Sequence, residues 1–110
     1  MVSSSHILQS KELSVSIELE LIVKGNGKII NLGDRNDEVK YIQIALLKLN
    51  FNLGKSGTDG IFGEKMNSQI KLFQKDYIPT YRVHNKYLIK KNVLDKNTLL
   101  ALDEALICGM

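Results

Sequence analysis

From Leu13 to Val23 the chain alternates in character. Leu13, Val15, Ile17, Leu19, Leu21 and Val23 fall on one side of an extended backbone. Ser14, Ser16, Glu18, Glu20 and Lys24 fall on the other, with Ile22 the one exception. A period of two over this length predicts a strand with one apolar face. Gly25-Asn26-Gly27 is a turn signal, and Lys28-Ile29-Ile30 can return as a short second strand. The two arms of that hairpin are unequal, so part of the long strand lacks a partner within it. Residues 1–12 are polar and serine-rich and read as a loose tail.

Beyond residue 31 the spacing becomes helical. Asn36 can cap a helix start, and Asp37 and Glu38 suit the positive end of its dipole. Val39, Ile42, Leu46 and Leu49 then form one buried stripe, and Asn50 suits a left-handed C-terminal cap. Residues 51–58 read as a loop. A second helix begins near Gly63, with Met66, Ile70 and Phe73 inward, and Asp95 caps a last helix facing inward through Leu99, Leu102 and Leu106. The expected core is Val39, Ile42, Leu46, Leu49, Phe62, Ile70, Phe73, Leu99 and Leu102. A short echo links Val39-Lys40-Tyr41-Ile42-Gln43 to Ile70-Lys71-Leu72-Phe73-Gln74. It reads first as two amphipathic helices; the sharper alternative is that Gln43 and Gln74 hold buried hydrogen bonds to loops.

These elements also carry a resemblance. Ile30 and Gly33, Val39 with Ile42-Gln43, the run Asp59-Gly60-Ile61-Phe62-Gly63, then Ile70 with Phe73-Gln74 and Asp95-Lys96-Asn97-Thr98, follow one family pattern. Over residues 30–106 the chain resembles the peptidoglycan-binding-like domain found beside bacterial and phage cell-wall hydrolases. Asn36 stands where that family has its second glycine, Asn50 where it usually has glycine, and Met66 where it often has threonine. The resemblance implies a mainly α, compact three-helix domain, here preceded by an N-terminal β strand or hairpin arm. Residues 1–31 are then tail and arm. Residues 32–110 are the helical domain, with 77–92 longer than the family spacing and read as an insertion. Gln43, Phe62, Gly63, Phe73 and Gln74 are the structural motif residues. The family's suggested peptide groove implies ligand contacts at Asp59, Gly60 and Tyr41.

The chain of 110 residues has room for one domain, with 44% apolar and 25% charged residues and a net charge of +3. A single cysteine, Cys108, excludes an internal disulfide. Met1 to Ser16 has no basic start followed by an apolar core, so no secretory signal is expected. No apolar run approaches the roughly 20 residues of a membrane span. His6 and His84 have no second ligand at metal-like spacing, and neither a metal nor a cofactor is expected. Asp34, Asp37, Glu38, Asp59 and Glu64 are explained by capping and turns better than by general acid–base work, so no catalytic residue is assigned. Tyr77, Tyr81 and Tyr87 interleave with Arg82, Lys86, Lys90 and Lys91, which could stack bases, but no nucleic-acid motif accompanies them.

The function implied is non-catalytic attachment to peptidoglycan. The alternative is a structural docking subunit of a phage tail or phage-tail-like contractile injection machine, assembled in the cytoplasm and carried in a virion or injection particle. That alternative rests on the arm, where Leu13, Val15, Ile17, Leu19 and Leu21 would form an exposed apolar row that favours association with another subunit.

Overall fold

The computed structural model describes residues 7–25, 29–76 and 93–108. His6, His84 and the basic-aromatic insertion at 77–92 therefore lie outside the described residues. Among the described residues there are four α-helices, a 3-10 turn at Gly54–Ser56 and one small sheet: α1 (Ile17–Val23), β1 (Ile30–Asn31), α2 (Asp37–Lys48), α3 (Glu64–Asp76), β2 (Val93–Leu94) and α4 (Lys96–Cys108). β1 and β2 pair antiparallel, Ile30 opposite Leu94 and Asn31 opposite Val93.

α2 begins and ends as its residues dictate. The Val39 N–H donates to Asn36 Oδ1 at 2.9 Å, and Asp37 and Glu38 occupy the first turn. At the other end Asn50 takes a φ of 71°. The Phe51 N–H reaches back to the Leu46 carbonyl and the Asn50 N–H to that of Leu47, both at 2.9 Å, the paired bonds of a Schellman cap. Phe51 is thereby turned edge-on to Phe73, with ring centroids 6.0 Å apart.

α4 is the centre of the molecule. Every residue from Thr98 to Ala105 is buried, because α1 and α2 both pack on it. Asp95 Oδ1 accepts from the Thr98 N–H at 3.0 Å and starts the helix. Gln74 of α3 donates to Thr98 Oγ1, also at 3.0 Å, so that echo glutamine reaches a neighbouring helix. One apolar cluster joins Val39, Ile42, Leu46, Phe62, Met66, Ile70, Phe73, Leu99 and Leu102, with Leu49 packed at its margin.

The N-terminal strand expected from the alternation is not what forms. Residues 11–15 are a turn and 17–23 a helix, and the short strand β1 pairs with β2 instead of with the arm. Among the described residues the α-helical count is four where three are expected, and the physical reason is readable. Ser16 Oγ accepts from the Leu19 N–H at 3.2 Å, capping α1. Leu19, Ile22 and Val23 then repeat at helical spacing and are buried, while Val15 and Ile17 are 61% and 74% exposed. Ile22, the one break in the alternation, belongs to the true buried face. Leu13 and Leu19 are fully buried in the chain's own core and are not available to a partner, whereas Val15, Ile17 and Leu21 remain on the surface.

A seven-residue helix is marginal alone, and tertiary bonds hold this one. The Glu20 carboxylate accepts from the N–H groups of Ile7 and Leu8. The Asp103 carboxylate, on α4, accepts from those of Gln9 at 3.0 Å and Ser10 at 2.8 Å. Two buried carboxylates thus bind four consecutive amides and lay the N-terminal segment across α1 and α4. Partial burial first, then the neighbouring Glu18 of α1, holds the Glu38 carboxyl above its ordinary range.

Candidate ligand-binding cleft

The loop from Asp59 to Gly63 is built against the entry to α2. The Gly33 N–H donates to the Phe62 carbonyl and the Phe62 N–H to that of Asp34, both at 2.8 Å, while the Asn36 N–H donates to the Gly60 carbonyl at 3.0 Å. Gln43, on α2 and buried, fastens the loop from the other side. Its Nε2 donates to Asp59 Oδ1 at 2.9 Å and to the Ile61 carbonyl at 3.0 Å, and its Oε1 accepts from the Gly60 N–H at 2.8 Å. Asp59 Oδ1 also accepts from the Ile61 N–H at 2.9 Å. With these anchors Phe62 is driven fully into the core, and α3 starts one residue after Gly63.

Gly60 is required here. Its φ is +79°, and a Cβ at that position would lie 3.2 Å from the Asn36 carbonyl oxygen. Gly60→Ala is therefore expected to cost about 2 kcal/mol, from left-handed strain and the backbone clash. Gly63→Ala, with nothing within 4 Å of the added Cβ, is the matched control and should change stability by less than about 0.5 kcal/mol. Urea melts of the two variants make the comparison.

Beside this loop lies a cleft of about 290 Å³, lined by residues from α2, the 53–63 loop and the first turn of α3. Its lining includes the buried side chains of Gln43, Leu53 and Met66, the half-buried Ile61, and the exposed Asp59, Glu64 and Lys65. Gly60 is buried behind the loop, where its N–H is taken up by Gln43. Tyr41 stands elsewhere, in a shallow hollow with Lys11, Glu12, Val15 and Ile44. The structure thus brings Asp59 to the cleft and separates it from Tyr41. Among the described residues no three His, Cys, Asp or Glu side chains are grouped so that they could hold a metal ion. No helix among the described residues is long and apolar enough to cross a membrane.

Lys65 lines the cleft without any expectation from the sequence, and Glu64 is expected there only as a cap or an acid. A signal was present. A lysine in the first turn of a helix opposes the macrodipole, a placement that favours a role other than helix stability. The apolar part of the lining, Leu53 and Ile61, had no such mark and could only be found from the folded loop.

Residues 35–79, less than half of the chain, match the family model described as a putative peptidoglycan binding domain. More particularly, the chain is similar to the type VI secretion system spike protein VgrG3 of Vibrio cholerae serotype O1, with 47% identity over 105 residues. The similarity takes in 94% of this chain but spans only 10% of that relative's length. No solved structure matches the chain.

Proposed function

We propose that the chain is a non-catalytic module that binds peptidoglycan, with the cleft beside Asp59 as its ligand site. One observation carries the reading: every residue lining the cleft, from Gln43 to Met66, lies inside the segment that matches the peptidoglycan-binding family. A concave site with an apolar floor and a few polar groups at its rim is also what a small ligand needs. Asp59 shapes the loop through Gln43 and Ile61 while its carboxylate borders the cleft, so it contributes to binding chiefly by placement. Co-sedimentation with purified sacculi tests the reading. The protein should pellet with the wall, and Lys65→Glu, which reverses a charge at the rim, should weaken pelleting with an unchanged melting temperature. If Tyr41→Ala weakens it instead and Lys65→Glu does not, the hollow between the 11–15 turn and α2 is the site.

A second reading is favoured by the similarity to a spike protein. The module would then act as part of an injection particle, and wall binding would serve the passage of that particle. Contact with another subunit would fall to the exposed Val15, Ile17 and Leu21, since Leu13 and Leu19 are spent on the internal core.

A further inference from the structure

The rim of the cleft carries opposite charges on adjacent residues. Glu64 and Lys65 are both exposed, and among the described residues neither side chain has a hydrogen-bond or ion-pair partner. Lys65 is nevertheless placed. Its stem crosses Gly54, which has no side chain to obstruct it; a Cβ built there would sit 3.7 Å from Lys65 Cγ and 3.9 Å from Lys65 Cε. The side chain therefore runs along the 53–54 side of the opening. The carboxylate of Glu64 belongs to the first residue of α3, on the same lining. Two opposite charges left unpaired around one small cavity, over a floor of Leu53 and Met66, complement a ligand that brings both charges with it.

Resting on the peptidoglycan reading above, we infer that this cleft takes the zwitterionic end of a diamino-acid side chain in the wall peptide, Lys65 facing its carboxylate and Glu64 its ammonium. A volume of about 290 Å³ stands at the lower end of small-molecule sites, suited to one or two residues of peptide and too small for peptide and glycan together. The wall peptide's third residue is either diaminopimelate, which ends in both charges, or lysine, which ends in the ammonium alone. Cross-linking through the ammonium acylates it and removes the charge that Glu64 would meet. The cleft therefore selects diaminopimelate stems that have not been cross-linked.

The test is calorimetric titration of the full chain with three soluble tripeptides: Ala-γ-Glu-diaminopimelate, the same peptide with the distal carboxylate amidated, and Ala-γ-Glu-Lys. Sacculus co-sedimentation is run beside it. The first peptide should bind about fivefold more tightly than the other two, the effect of one solvent-exposed ion pair, and added salt should shrink the difference. Lys65→Met should bring the first peptide down to the level of the others. Glu64→Gln should weaken all three in parallel, since each carries the distal ammonium. Both side chains are exposed, so melting should be unaffected. Equal affinity for the three peptides, or a preference that survives Lys65→Met, overturns the inference. If sacculi still bind in that case, only the zwitterion assignment falls; if neither sacculi nor peptides bind, the peptidoglycan reading falls with it.

Discussion

Phe62→Ala and Phe73→Ala are each expected to destabilise the protein by about 3–5 kcal/mol, the usual cost of emptying a well-packed aromatic site. Both rings are fully buried, and Phe73 additionally meets Phe51 edge-on. Neither site can collapse easily. The Phe62 backbone is held on both sides, its N–H by Asp34 and its carbonyl by Gly33, so the loop cannot follow the shrunken side chain inward. Phe73 shares one buried cluster with Met66 and Ile70 of its own helix and with Leu99 and Leu102 of α4. Denaturant melts measure both costs. A loss below about 1 kcal/mol for the pair would place these rings at the surface and contradict the fold. Because Phe62 closes the loop that borders the cleft, its loss should also weaken wall binding, whereas Ile107→Ala, at an exposed position on α4, should do neither.

The second large effect concerns Asp103. Asp103→Ala removes a fully buried carboxylate and leaves the amides of Gln9 and Ser10 without their acceptor. Bonds to a charged group are worth about 1.5–3 kcal/mol, and orphaned buried amides add their desolvation cost, so a loss of about 3 kcal/mol is expected. Asp103→Asn keeps the shape and one acceptor oxygen and should cost about half as much. Amide exchange gives the local readout, with protection of Gln9 and Ser10 lost in Asp103→Ala. A change below about 0.5 kcal/mol would mean that the N-terminal segment is not tied to α4.

Much of this was legible from residue order because the controlling interactions are local. Asn36 caps within three residues, Asn50 turns the end of α2 within four, and Asp95 caps α4 in the same way. The Asp-Gly-x-Phe-Gly run states its own turn and its own core plug. What stayed hidden depends on contacts distant in sequence. Leu13 to Val23 satisfies a period of two and, through Leu19, Ile22 and Val23, a helical period as well. The choice between them is made by α4, some eighty residues away, which needs an apolar face on every side. Glu20 looked like part of a solvated strand face. It is buried because it accepts from the backbone of residues 7 and 8, an interaction with no signature in composition. The cleft was half legible: Asp59 from its motif, but not Lys65, whose place depends on a glycine eleven residues earlier.

Chemical-shift mapping on the ¹⁵N-labelled full chain, titrated with soluble muropeptides, tests the central claim most directly. Binding at the cleft predicts the largest amide shifts at Leu53, Gly57 and Asp59 to Met66, with Lys11 to Val15 and Tyr41 to Ile44 little changed. Shifts centred on that second group, or no shifts at muropeptide concentrations on the order of a millimolar, would contradict the assignment of the cleft as a peptidoglycan site.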